Sequence, residues 1–356
     1  MKLLKSLSCL CLIWGLLVIL TGCPQISDTA ENPKPLGMVN YTYFDTVSFY
    51  YCYSGDSQDV FEARTEIVSS LLWEYHQLFD IYHEYSGINN LCTLNKNAGG
   101  EALEVDQKLI DFLLYAKELY TLTNGKMNVM MGAVLRPWHD CRTEASDDPA
   151  NAKLPDADLL AEAKNHIGID LLQIDDEKNT VRISDPKASI DVGALGKGYA
   201  TEKAAQALKD AGATGYVLNI GGNIRIIGTK PDGSGWLTGI KDPANPSSNY
   251  SAYLNLANTS CVTSGSYERF YSVDGKRYHH IIDGETCMPA DYFPSVTIIT
   301  EDSGLADALS TALFCMSQED GATLVASLDG VEALWVMADG TVRMTDGMSE
   351  LITEHP

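Results

Sequence analysis

IDVGALGKGYATEKAAQAL, residues Ile190 to Leu208, is the stretch around which the rest of the chain is organised. An apolar lead-in enters a glycine-rich turn at Gly193, Gly196 and Gly198, which carries Lys197 and runs straight into a helix-patterned segment. Glycines let backbone N–H groups come close to a ligand, and the start of a helix adds unpaired donors and partial positive charge. The unit therefore suits a phosphate, although the same spacing also describes a plain tight connection between a strand and a helix.

Downstream, YVLNIGGNIRIIG within Gly215 to Gly228 reads as an apolar strand, a Gly-Gly kink and a second apolar strand. Further strands are expected at Trp236–Ile240, Ser251–Leu256, Ser260–Val262 and Val296–Thr300. Hairpins are expected around Asp274-Gly275 (Glu268–Val273 with Arg277–Ile282) and Asp339-Gly340 (Ala333–Met337 with Val342–Thr345). Apolar residues at three and four predict helices at Leu305–Met316 and Glu319–Ser327, with a further helix beginning in the central stretch and running to Ala211. Upstream, the same spacing predicts helices at Phe61–Tyr82 and at Gln107–Thr123, the second ended by Asn124-Gly125. A strand at Tyr41–Tyr53, a loop from after Trp138 to Pro155, a short helix at Asp158–His166 and two short strands around the Asp176–Asn179 turn complete the reading. Strands and helices mix without strict alternation and no linker splits them. The fold class expected is one α+β unit of mixed and antiparallel sheets with packed helices, in one or two lobes, rather than a doubly wound sheet.

The N-terminus reads differently. Lys2 and Lys5 precede a nearly all-apolar run from Leu7 to Leu20, followed by Leu20-Thr21-Gly22-Cys23. This pattern resembles a bacterial lipobox, with residues 1–22 a signal peptide and Cys23 the lipidated first residue. The apolar run is short for a membrane span. Residues 23–40, with Pro24, Pro33 and Pro35, read as a polar tether, and residues 41–356 as the functional domain. The expected location is thus the extracytoplasmic face of a membrane, held by acyl chains.

Removing Lys2 and Lys5 leaves 23 basic against 48 acidic side chains, a formal charge of −25. Such a chain is a poor nucleic-acid binder and repels polyanions at long range. A bound phosphate therefore needs a lysine, a helix terminus or a metal ion beside it. Six cysteines follow Cys23, at positions 52, 92, 141, 261, 287 and 315, without CxxC or Cys/His ligand spacing. That pattern argues against a zinc site or a redox motif and predicts mostly buried thiols.

Three further segments could carry chemistry. In GLADALSTALF, Gly304 to Phe314, Asp307 and Thr311 lie four apart and share a helix face. A carboxylate and a hydroxyl there offer two hard oxygens to Mg²⁺; equally, they describe a capped helix with a back-bonded threonine. RYHHIIDGETCMPA, Arg277 to Ala290, places His279 and His280 on opposite faces of a strand that ends near Asp283. A histidine so placed suits a general base, although most lone histidines have no such role. TSGSYERF, Thr263 to Phe270, brings two small hydroxyls that could bond a polar ring or form an ordinary turn.

Taken in order, DVGALGKGYATEKA, NIGGNIRIIG, TSGSYERF, HHIIDGETCMPA and ADALSTALF resemble the ApbE family of FAD:protein FMN transferases, over about Tyr41 to the end. The resemblance implies an Mg²⁺-dependent enzyme that cleaves FAD, releases AMP and joins FMN through a phosphoester to a threonine of a partner protein. Partners implied are extracytoplasmic flavoprotein subunits of membrane redox complexes. The metal ligands implied are Asp307, Thr311 and the Ala194 carbonyl. Lys197 is implied near the phosphates, Glu202 at an acidic position, Thr263 and Ser264 in cofactor contact, Tyr82 as an aromatic stacking position, and His280 with Asp283 as catalytic residues. Several positions depart from the family pattern. Phe44-Asp45-Thr46 stands where MGT is common, Gly87 where a glutamate is usual, Lys126-Met127-Asn128 where GaFDP is common, Gly196 where alanine is commoner, and Cys287 in place of a glycine. Two other readings stand beside transfer: an FAD pyrophosphatase that yields FMN and AMP, and a lipid-anchored flavin- or solute-binding protein without catalysis.

Overall fold

The computed structural model of the protein describes residues 34–354 except 248. The expected signal segment, Cys23 and most of the expected tether lie outside the described residues. The tether ends sooner than its composition suggests. Leu36–Asn40 forms strand β1, because its backbone pairs with Ser48–Cys52 (β2) and Leu36 and Met38 pack against the core.

Six more strands join these two in one sheet: Tyr216–Ile220 (β3), Asn223–Ile227 (β4), Ser260–Gly265 (β5), Ser295–Thr300 (β6), Glu332–Val336 (β7) and Val342–Met344 (β8). Their order in space is their order in the chain, and every pairing is antiparallel. Both faces are covered, and the side chains divide with period two. Leu218, Val262, Ile298 and Trp335 enter the main core beneath the helices, whereas Val217, Cys261, Ile299 and Leu334 join a second core on the other face. That second face is closed by the hairpin Trp236–Lys241 with Tyr250–Leu256 and by the short helix Asp346–Leu351.

The main core is built by Gln58–Phe79 (α1), Gln107–Leu122 (α2), Gly196–Asp210 (α4) and Ser303–Phe314 (α5), all on one face of the sheet. Between α2 and α4 in the chain lies Gly132–Asp147 (α3), where a loop was expected from Trp138 onward. Pro137 sits inside this helix, and together with the acidic, polar C-terminal half it hides the spacing of Trp138, Cys141 and Ala145. Those three residues are buried against Leu160, Tyr271, Ile282 and Cys287. Burial of that apolar stripe outweighs the helix-breaking tendency of the proline. This third cluster forms a satellite lobe from α3, the helix Ala157–Ala163 and the hairpin Phe270–Val273 with Lys276–His279. All six described cysteines are free and buried. Among the described residues no helix is long and apolar enough to cross a membrane.

Candidate active site

The glycine-rich turn adopts a specific form. None of Gly193, Gly196 and Gly198 has a positive φ, so these glycines supply space and not left-handed backbone. At Gly198 a Cβ would stand 2.4 Å from both the Asp307 Cβ and the Ser303 carbonyl oxygen. Only a glycine lets α4 cross α5 this closely.

That crossing changes the first turn of α4. The Gly198 N–H, which would ordinarily close on the Ala194 carbonyl, donates instead to Asp307 Oδ2 at 2.8 Å. Among the described residues the Ala194 oxygen is left without a hydrogen bond. Asp307 is therefore a cap for the neighbouring helix, while α5 is capped by Asp302, whose Oδ1 accepts from Leu305 N at 2.8 Å. The expected back-bond from Thr311 is also absent. Ser310 makes that contact, donating to the Asp307 carbonyl at 2.9 Å, and Thr311 Oγ1 has no hydrogen-bond partner among the described residues. One buried carboxylate, paired with the Gly198 N–H, and one carbonyl and one hydroxyl without hydrogen-bond partners among the described residues thus belong to the two crossing helices. Burial pushes the Asp307 carboxyl up; the Lys197 ammonium, the Gly198 N–H and the Asn223 amide oppose that rise. A buried carboxylate of this kind gains from a cation. These hard oxygens fit Mg²⁺, which takes few protein ligands and completes its shell with water and phosphate. Among the described residues no cluster of three or more His, Cys, Asp or Glu side chains offers a metal site of another type.

Lys197 reaches back to the Gly193 carbonyl at 3.3 Å. Its charge acts on Asp307 and also on Asp191, whose Oδ1 accepts from Gly193 N at 2.9 Å. Burial pushes Asp191 up as well, opposed by Gly193 N–H, His139, Lys197 and Arg142. Asp191, His139 and Arg142 are not among the residues that sequence motifs single out; the last two lie on α3, whose helical spacing Pro137 hides.

Beyond Asp191 stands Tyr82, half exposed at 55%, with its ring 5.8 Å from that of His139. Arg142 Nη2 lies 3.1 Å from His139 Nδ1. Trp138, one turn earlier on α3, packs on Tyr271 and Tyr278 of the hairpin. Arg142 consequently meets the end of that hairpin, where Arg269 and His280 sit. Burial lowers the Arg142 pKa and Arg269 lowers it further, and neither guanidinium forms an ion pair among the described residues. The His280 N–H and Nδ1 both lie on the Arg269 carbonyl, at 3.0 and 3.2 Å. That contact puts the proton on Nδ1 and leaves the Nε2 lone pair available. Burial, followed by Arg269 and Arg142, depresses the His280 pKa to about 3, so the ring is neutral near pH 7. His279 is a structural tie: its Nε2 meets the Ala290 carbonyl at 2.8 Å and its Nδ1 accepts from Ile281 N.

Four further expected site residues have protein partners of their own. The Glu202 carboxylate holds Arg225 Nε at 2.8 Å and Ser303 N at 3.0 Å, a brace beneath the start of α5. Arg225 is completely buried, which requires that partner. Asp283 does not touch His280; it accepts from Lys126 Nζ at 3.4 Å and Glu285 N at 3.0 Å. Lys126, one of the departures from the family pattern, is thereby a satellite-lobe ion pair. Thr263 and Ser264 alternate on β5 and face opposite sides of the sheet. Ser264 Oγ lies 2.9 Å from Ser310 Oγ beside the Asp307 turn, whereas Thr263 pairs with Thr297 at 2.7 Å on the far side.

The ApbE family model matches residues 46–335. This chain belongs to the ApbE family. Curated ApbE relatives include the FAD:protein FMN transferase of Treponema pallidum, 30% identical over 82% of this chain and 81% of that protein. The FAD:protein FMN transferase of Vibrio cholerae is 28% identical over 94% and 93%. Among solved structures, the ApbE protein from Thermotoga maritima has a TM-score of 0.79 at 30% identity, covering 90% of this chain and 100% of that one. The flavin transferase ApbE from Vibrio cholerae shares the fold, with a TM-score of 0.74 at 22% identity over 89% and 99%.

Two departures from the ApbE pattern, at Asp45 and Cys287, have backbone explanations. Asp45 occupies the glycine place of MGT with φ 50°, a conformation that aspartate tolerates better than most residues. Its neighbour Thr46 lies against Gly221, φ +57°, where a Cβ would come within 2.5 Å of Thr46 Oγ1. Cys287 holds φ 56° in its turn, the left-handed geometry a glycine would take without strain. Trp138 Nε1 donates to its carbonyl at 2.9 Å.

Proposed function

We propose that this chain is an Mg²⁺-dependent FAD:protein FMN transferase acting on a threonine of an extracytoplasmic flavoprotein subunit of a membrane redox complex. The observation that carries this reading is the diverted Gly198 N–H, which donates to the Asp307 carboxylate and leaves the Ala194 carbonyl unclaimed. Asp307, Thr311 and the Ala194 carbonyl would hold Mg²⁺, which supplies neutralisation of pyrophosphate charge when bound. The chain's own groups account for the remaining work. Lys197 adds positive charge at the phosphates, which a chain of net charge −23 would otherwise repel. Tyr82 offers a face on which the flavin ring stacks, flanked by His139 and Arg142. His280, neutral and with Nε2 unprotonated, accepts the proton of the incoming threonine hydroxyl. The hydroxyl oxygen bonds to the FMN phosphorus as the bond from that phosphorus to the bridging oxygen breaks, and AMP departs with that oxygen.

The N-terminal basic, apolar and Leu20-Thr21-Gly22-Cys23 pattern supports lipid attachment at Cys23 and anchoring to the extracytoplasmic membrane face. The test incubates the protein with FAD, Mg²⁺ and a candidate acceptor and follows AMP release together with covalent flavin fluorescence on the acceptor. Both products are expected. AMP alone, across several acceptors, would indicate the pyrophosphatase, and neither product a binding protein. Asp307→Ala should abolish AMP release, and Mg²⁺-dependent turnover retained in that variant would refute the metal assignment.

A further inference from the structure

Tyr82 stands on a short segment between two buried polar anchors. The Asp80 side chain is only 5% exposed, yet it accepts four hydrogen bonds. Its Oδ1 takes the Tyr82 N–H at 2.7 Å and the His83 N–H at 3.0 Å; its Oδ2 takes the Tyr85 hydroxyl at 2.9 Å and lies 3.0 Å from His83 Nδ1. Asn90, fully buried, donates to the His83 carbonyl at 2.8 Å and to Gln77 O at 2.9 Å. The Asp80 carboxyl is buried, which raises its pKa, but the N–H donors of Tyr82 and His83, then the His83 ring and Tyr85, outweigh burial and bring it below the usual range.

The network extends past this segment. Tyr85 Oη lies 3.4 Å from His76 Nε2, and His76 Nδ1 accepts from Phe44 N at 3.3 Å. Because Nδ1 accepts, neutral His76 carries its proton on Nε2 and donates to Tyr85, which donates onward to Asp80. Phe44 and Asp45 both hold left-handed φ, 54° and 50°, and Thr46 lies against Gly221 in the turn that leads to Asn223, the amide beside Asp307. One chain of hydrogen bonds therefore runs from the Phe44 N–H through His76 and Tyr85 to Asp80, beneath Tyr82.

We propose that Asp80 is the positioning residue of the ring platform: through Tyr82 N–H on one oxygen and Tyr85 and His76 on the other, it holds the Tyr82 ring in register with the Phe44–Thr46 loop and the oxygen site. This rests on the reading of Tyr82 as the flavin platform. A fixed platform removes an ordering cost from binding, and its loss weakens ground state and transition state alike.

The test titrates FAD against wild type, Tyr82→Ala, Asp80→Asn and Tyr85→Phe, reading quenching of flavin emission without Mg²⁺, alongside KM and kcat with it. Asp80→Asn keeps the shape but cannot accept Tyr85 and His83 on its second position. It should raise the FAD Kd and KM roughly tenfold, lower the maximal quench and leave kcat within about twofold. Tyr85→Phe removes a single bond and should weaken FAD about threefold in the same manner, which decides the matter if Asp80→Asn does not fold. Should Tyr82→Ala weaken FAD while the folded Asp80→Asn and Tyr85→Phe keep wild-type Kd and quench, the positioning role is overturned. Should Tyr82→Ala itself bind like wild type, the platform reading fails and the proposal falls with it.

Discussion

The two halves of the site are built by different means. The oxygen-rich half, Ala194, Lys197, Asp307 and Thr311, lies where two helices of the main core cross at a glycine, and backbone contact sets its geometry. The other half, Tyr82, His139, Arg142, Arg269 and His280, is assembled from a loop, a helix of the satellite lobe and a hairpin end, joined mainly by side chains. A backbone-built half tolerates no added atoms where its helices cross. A side-chain-built half tolerates conservative changes in volume but depends on charge and protonation.

The sharpest way to break this contrast is Gly198→Ala. The new methyl has backbone and Asp307 Cβ on two sides, so the helices must part, at a cost of about 1–3 kcal/mol in stability. A shift of that kind should lower Mg²⁺-dependent AMP release by about 100-fold. Thermal melts together with turnover check it, and a variant with wild-type Tm and rate would mean that the crossing is not needed.

Next in size is the effect of pH on the side-chain half. The His280 pKa is depressed in the folded protein, so the unfolded chain binds the extra proton first. Stability is then fully present above about pH 6.5 and falls as pH drops toward 3. His280→Asn should flatten the slope of unfolding free energy between those limits, read from urea titrations at several pH values. Removing a neighbouring charge should act on the same quantity: Arg269→Gln raises the His280 pKa toward its ordinary value, visible by NMR titration of the ring. An unchanged titration would separate Arg269 from the site. The smallest expected effect belongs to Asp45→Gly, which relieves one left-handed aspartate and should change stability by no more than ~1 kcal/mol. A larger loss would show that the Asp45 side chain is itself structural.

The division between the halves also explains what could be read in the chain. The main elements were legible because each carries its own period: α2 at Gln107–Leu122 and the strands β3 and β4 on either side of Gly221-Gly222 lie within a residue or two of expectation. Helix α3 was not, since an internal proline and a polar second half conceal a stripe whose burial exists only once the hairpin packs on it. With α3 went His139 and Arg142. The partners of Glu202 and Asp283 were not legible either: Arg225 and Lys126 stand 23 and 157 positions away.

By itself the sequence determined the α+β class, the order of strands and helices, a small-residue turn and an Asp-x-x-x-Thr helix face, because these depend on local periodicity and on residue size. Only the tertiary structure decided which helix Asp307 caps, why the Ala194 carbonyl is free, and that Tyr82 shares a site with two arginines and His280. Those outcomes depend on which distant donors and acceptors the closed core brings within reach of one another, and no local spacing encodes that.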